Sequence, residues 1–213
     1  MSTLASQVAS KLLKIQAIKL QPKNPFTWAS GIKSPIYCDN RILLSYPEIR
    51  NFVKDGLSSK TFAFGEFDII AGVATAGIPH GTLLADAKNK PFIYVRSKAK
   101  AHGRQNLIEG ELKEGQKVLV VEDLISTGKS SMAAIEAIEK AGGQVIGLLA
   151  IFTYGFQKAK DLFTEKRIPV DTLTNYRNLL QEAEETNYIT ADEKMLLENW
   201  NNNPVKWAEQ ITK

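Results

Sequence analysis

The chain of 213 residues holds one cysteine, Cys38, so no intrachain disulfide can staple it. The two histidines, His80 and His102, do not cluster with Cys38 at the spacing a zinc site needs, which argues against structural zinc. No apolar run approaches the ~18 residues that a membrane-spanning helix requires. Met1 to Ile15 lacks the continuous apolar core and small-residue cleavage site of a secretory leader. The expectation is a cytoplasmic protein with a reduced thiol and no membrane contact. Excess charge is also scarce. The net +4, from 27 Lys and Arg against 23 Asp and Glu, is too slight to argue for nucleic acid, though it suits a small ligand rich in phosphate. Internal repeats and low-complexity segments are lacking, and the length is that of one domain with extensions.

What is present is alternation. Leu4, Val8, Leu12 and Ile15 recur at helical spacing and predict a helix over 3–15. The stretch 26–38 is aromatic, broken by Gly31 and Pro35, and reads as two short strands about a turn. Pro47 opens a second helix, with Ile49, Phe52, Val53 and Leu57 on one face, that ends near Lys60. From Asp68 onward the pattern predicts strands at 68–73, 91–95, 118–121 and 144–152, and helices at 78–88 and from 130 through Ala141. A short helix at 159–163, a weaker strand at 169–173 and helical stretches at 178–185 and 191–201 complete it, with Trp200 and Trp207 read as core or interface. Such alternation implies an α/β fold: a mostly parallel sheet, right-handed crossovers and helices on both faces. Ligands of such sheets bind beyond the carboxyl ends of the strands. The loops at 74–77, 96–110 and 122–130 all leave strands at that edge.

The chemistry concentrates in Lys117 to Ser131. An apolar strand, Val118 to Val121, meets two acids, Glu122 and Asp123, and then Ser126-Thr127-Gly128-Lys129-Ser130 before a helix. Small residues leave backbone N–H groups unblocked, and a helix N-terminus favours a phosphate dianion. The acids can accept hydrogen bonds from ribose hydroxyls or lie near a divalent cation. The stretch is not a Walker A loop, because no Gly-x-x-x-x-Gly precedes Lys129. An ordinary turn capped by Ser126 or Thr127 is the plainer alternative, and the acid pair disfavours it. The segment 96–110 lacks apolar periodicity and carries Arg96, Lys98, Lys100, His102 and Arg104 with Gly103. Taken alone such a segment is more often a solvated loop, but a patternless loop of that length beside a phosphate site is a candidate lid or binding loop. Ala74-Thr75-Ala76-Gly77 is either a second anion turn or merely a tight one. His80, inside an apolar helix, reads as a packing or capping residue.

These residues resemble the type I phosphoribosyltransferases. Val118 to Ser130 is similar to that family's phosphoribosyl-diphosphate signature. Thr27 to Tyr37 resembles the N-terminal hood, and Arg96 to Gly103 the mobile catalytic loop, of its orotate-specific branch. The resemblance implies a single domain over 1–213, with a hood from about 1–45, a core from about 46–190 and a helical tail from about 191–213. It implies Mg²⁺-dependent transfer of phosphoribosyl from 5-phosphoribosyl diphosphate to orotate, giving orotidine 5′-phosphate and pyrophosphate in pyrimidine synthesis. It also implies a homodimer whose loop 96–110 acts across the interface. By position, Arg96, Lys100 and His102 would be catalytic and contact pyrophosphate. Glu122, Asp123, Leu124, Ile125, Ser126, Thr127, Gly128, Lys129 and Ser130 would hold the ribose phosphate. Ser126 and Lys33 would meet orotate, and no protein group would ligate the metal directly. Ser97 and Ala76 stand where many relatives carry basic residues, so Ala76 is left to act through backbone alone. A transferase for another nucleobase, and a non-catalytic regulator that senses the same diphosphate and binds nucleic acid, are the alternatives.

Overall fold

The computed structural model describes residues 3–27, 31, 33–98 and 107–211. Thr3 lies in extended backbone, and its hydroxyl accepts the Ser6 N–H, which caps α1 (Leu4–Lys14) and buries Val8, Leu12 and Leu13 on one face. Four short strands follow: β1 (Ile18–Leu20), β2 (Phe26–Thr27), β3 (Lys33–Ser34) and β4 (Ile36–Cys38). β2 pairs with β3, as the sequence predicts, and β4 pairs with β1, both antiparallel. β1 has no counterpart in the sequence reading. With three residues it is too short to show alternation, and its pairing with β4 defines it.

After a 3₁₀ segment, α2 (Pro47–Lys60) begins on its proline as expected. The sheet elements are β5 (Ile69–Val73), α3 (Gly77–Lys88), β6 (Phe92–Val95), β7 (Ile108–Glu109), β8 (Lys117–Ile125), α4 (Lys129–Lys140), β9 (Gln144–Thr153), α5 (Gln157–Glu165) and β10 (Val170–Asn175). The chain ends in α6 (Tyr176–Glu185), α7 (Ala191–Asn202) and α8 (Pro204–Ile211). Residues 1–47 with 174–213 form one compact unit, and residues 48–173 form a second.

In the first unit, α1 packs against α6, and the Ser6 hydroxyl donates to Glu182 at 2.6 Å. Trp200 is fully buried, its ring 5.5 Å from that of Tyr176, and Trp207 is buried as well. Thr190 and Glu193 form a reciprocal capping box at the start of α7.

The second unit holds the sheet, in the order β10-β9-β8-β5-β6-β7. β9, β8, β5 and β6 run parallel, and β7 returns antiparallel along the edge of β6. Both faces of β8 are buried, which explains its unbroken apolar run. Val118 and Val120 share a core with Met132, Ile135 and Ile138 of α4. The opposite face takes α3, which is brought in by small residues. A β-carbon at Gly81 would lie 3.3 Å from Gly72 Cα and 2.8 Å from the Phe92 ring.

Two elements differ from expectation. β8 continues past Val121 through both acids to Ile125, because the long β9 pairs with it as far as Thr153. The segment 96–110 is not wholly irregular. Ile108 and Glu109 form β7, so 96–107 is the connection of a hairpin.

Candidate functional site

β5 accompanies β8 only to Val121, whereas β9 stays with it to Ile125. Beyond Val121, therefore, the paired acids have a strand on one side and the N-terminal turn of α3 on the other. Gly77 makes that approach possible, since a β-carbon there would lie 2.7 Å from the Val121 carbonyl oxygen and 3.4 Å from Glu122 Cα. Close approach of two backbones is the usual structural reason for glycine at such a point.

The two acids are not equivalent. Glu122 is 4% exposed, and Asp123 is half-buried. Glu122 Oε1 accepts the Asp123 N–H at 3.1 Å, and Oε2 accepts the Ser131 hydroxyl at 3.1 Å and that of Ser130 at 3.5 Å. Burial, then the adjacent charge of Asp123, push the Glu122 carboxyl well above the usual carboxylate range. Glu122 therefore holds its proton to higher pH than a free carboxyl does.

Leu124 and Ile125 finish the strand, and Ser126 and Thr127 are half-buried in the turn. Neither of these hydroxyl residues caps α4. The N-cap is Gly128, at φ 79° and ψ −2°, with no side-chain cap bond. A β-carbon there would be strained by the left-handed backbone and would meet the Phe163 ring at 2.9 Å. The first N–H groups of a helix have no acceptor within it, and no acidic residue stands in this first turn to offset them. The turn of Ser126 to Ser130 is thus a set of donors at a positive helix end, ready for an anion. Lys129 and Ser130 are exposed. A groove beside it is lined by Ile125, Thr153, Gly155, Phe163 and Thr172.

The turn at 74–77 leaves β5 at the same edge of the sheet. Its Ala74–Thr75 peptide is cis, and Ala76 occupies the N-cap of α3 without a side-chain bond. His80 is buried in α3, consistent with a packing role.

The hairpin of β6 and β7 closes where the Arg96 N–H donates to the Leu107 carbonyl at 2.8 Å, and the Arg96 guanidinium lies 3.5 Å from the Glu109 carboxylate. Ser97 and Lys98 are exposed. Lys100, His102, Gly103 and Arg104 lie outside the described residues, as do Trp28, Ala29, Ser30 and Ile32 of the hood. Lys33 belongs to the first compact unit, where its ammonium donates to Thr27 Oγ1 at 2.8 Å across β2 and β3. Among the described residues no group of three or more His, Cys, Asp or Glu is placed to hold a metal ion, and no helix is long and apolar enough to cross a membrane.

The second unit therefore gathers Arg96 and the residues from Glu122 to Ser130 at the carboxyl edge of one sheet. Sequence reasoning missed the parts played by Gly77, Glu109, Ser131 and Phe163. Gly77 was visible as a small residue in a turn. The other three carry no local signal, because their roles arise from contacts between elements.

With a mostly parallel sheet, an acid pair and a glycine-capped turn at its carboxyl edge, the chain falls in the class of the phosphoribosyl transferases: residues 43–183 match the phosphoribosyl transferase domain. Among similar proteins, the orotate phosphoribosyltransferase of Phocaeicola vulgatus is 56% identical over 97% of this chain and 98% of its own length. That of Listeria monocytogenes is 52% identical over 97% of this chain and all of its own. In structure, the orotate phosphoribosyltransferase of Aeropyrum pernix matches 86% of this chain and 99% of its own at 27% identity, with a TM-score of 0.74. The UMP synthase of Leishmania donovani matches 92% of this chain at 29% identity with a TM-score of 0.78, and this chain spans 42% of that longer one. The chain belongs to the orotate phosphoribosyltransferase family.

Proposed function

We propose that the chain transfers the 5-phosphoribosyl group from 5-phosphoribosyl diphosphate to the N1 of orotate, forming orotidine 5′-phosphate and pyrophosphate for pyrimidine nucleotide synthesis. The observation that carries the proposal is the run of β8 through Glu122 and Asp123 into the Gly128 turn and α4. Two carboxylates that could accept from sugar hydroxyls lie just before a helix N-terminus that could take a phosphate, which supports the reading, and relatives at 52% and 56% identity over nearly the whole chain bear the enzyme's name.

Orotate enters as an anion, so a strong general base is unnecessary. The demanding step is the loss of pyrophosphate from the anomeric carbon through an oxocarbenium-like transition state. Negative charge grows on the departing group, and Arg96, Lys100 and His102 are the cations proposed to meet it. The backbone N–H groups of Ser126 to Ser130 bind the 5-phosphate. Asp123 accepts from the ribose hydroxyls and adds a favourable field for the cationic sugar. Ser126 and Lys33 are proposed to contact orotate. Mg²⁺, when bound, neutralises charge on the diphosphate. A half-buried Asp123 beside the buried Glu122 offers few protein oxygens, which suits an ion that would arrive on the diphosphate rather than one held by the protein alone. We also propose a cytoplasmic homodimer in which loop 96–110 of one subunit serves the partner's site.

The experiment is an assay of orotate, adenine, hypoxanthine and uracil with 5-phosphoribosyl diphosphate and Mg²⁺. The expected result is turnover of orotate alone. Preference for a purine base, or diphosphate binding without any turnover, overturns the proposal.

A further inference from the structure

The Glu122 carboxyl has three hydrogen-bond donors around it, and two are parts of the site already described. The Asp123 N–H belongs to the acid pair, and the Ser130 hydroxyl, at 3.5 Å, belongs to the phosphate turn. The third, Ser131, is different. It is 0% exposed, so it touches neither solvent nor an incoming ligand, and its hydroxyl donates to Glu122 Oε2 at 3.1 Å.

The position itself would ordinarily be apolar. On the same helix the buried residues after Ser131 are Met132, Ala134, Ile135 and Ile138, all hydrophobic. A hydroxyl placed among them loses free energy of hydration unless it is bonded. Here its recorded partner is a site acid on a different element rather than a carbonyl of its own helix. The bond therefore ties the first turn of α4 to the acid pair of β8. On the far side of the same carboxyl, a β-carbon at Gly77 would lie 3.5 Å from Oε1, so α3 closes against it. Held by α4 on one side and hemmed by α3 on the other, the carboxyl has little freedom to rotate.

We infer that Ser131 is a positioning residue for phosphoribosyl transfer, acting through Glu122: its hydroxyl fixes the carboxyl so that the acid pair and the phosphate turn keep one mutual geometry. Ribose hydroxyls and the 5-phosphate of a single substrate must be met at once, and this bond links the groups that meet them. The inference rests on the function proposed above.

The test is a double-mutant cycle of Ser131→Ala and Glu122→Ala. Affinity for 5-phosphoribosyl diphosphate with Mg²⁺ is measured by calorimetry and turnover of orotate by steady-state kinetics, with a thermal melt of each variant. Ser131→Ala is expected to weaken diphosphate-substrate affinity about tenfold, the upper end of what one net hydrogen bond contributes. The KM for orotate should stay unchanged. In the Glu122→Ala background the same replacement should have little further effect, because the acceptor is gone. Ser131→Cys, nearly isosteric with a weak donor, should recover part of the loss, and it runs the same cycle should the alanine variant fold poorly. Unchanged affinity in Ser131→Ala, or losses that add fully in the double variant, overturn the inference. If the unaltered chain does not turn over orotate, the proposed function has failed instead, and the inference falls with it.

Discussion

Glu122 carries a consequence for pH. Its carboxyl titrates well above the usual range in the folded protein because it is buried and lies beside Asp123. Between the ordinary carboxylate pKa of about 4.3 and that raised value, the folded state binds a proton that the unfolded chain has released. Stability is thus fully present below the unfolded pKa and is lost as pH rises through the folded one. Glu122→Gln removes the titration and keeps the shape. Its melting temperature, relative to the unaltered chain, should therefore rise as pH is raised above the ordinary carboxylate range in differential scanning fluorimetry. A difference that stays constant as pH is raised would contradict the assignment. At this scale the sequence displayed every residue that the structure sets along the end of β8 and the turn after it, from Glu122 to Ser130. It did not display that one acid is buried and the other half-open, because that division depends on which neighbouring strand stops first.

Among the elements, β8 is decisive because it outruns β5 but not β9. The gap so formed is filled by the start of α3, and Gly77 is the contact point. Alanine is the better helix former by about 1 kcal/mol, so a Gly77→Ala change without a clash would stabilise the protein. The 2.7 Å approach to the Val121 carbonyl reverses that sign. Val121 is fixed by its pairing with Gly72 and Leu149, so the helix has to shift. We expect Gly77→Ala to cost about 1–3 kcal/mol in urea unfolding and to lower orotate turnover, since Glu122 lies beneath the displaced turn. A stabilised Gly77→Ala would show that the approach is not tight.

Hydrophobic periodicity revealed α1, α2, β5, α3, β6, α4 and β9 within a few residues, for each buries a face long enough to impose a pattern. β1 and β7 were hidden because they are short and are created by pairing with β4 and β6. The far end of β8 was hidden because polar side chains there obscure a strand that its partner β9 prolongs. α8 lies within the tail expected to be helical over about 191–213, but its eight residues complete little more than two turns and show no periodicity of their own.

In the molecule as a whole, the sheet unit is continuous in sequence, while the other unit is assembled from both ends of the chain. Trp200 anchors the latter. It is fully buried against Tyr176, so Trp200→Ala should destabilise by about 3–5 kcal/mol in chemical denaturation. A loss below about 1 kcal/mol would mean that the tail helices add little to the fold.

The split of that unit also sets a timetable for synthesis. Domains tend to fold as units while the chain is still emerging. Residues 48–173 are complete once the ribosome has released them, but α1 has been made first and its partner α6 comes later. Until then Val8, Leu12 and Leu13 have no final packing partner in that helix. The growing chain therefore carries this apolar stripe without its α6 partner until residues 176–185 have been made.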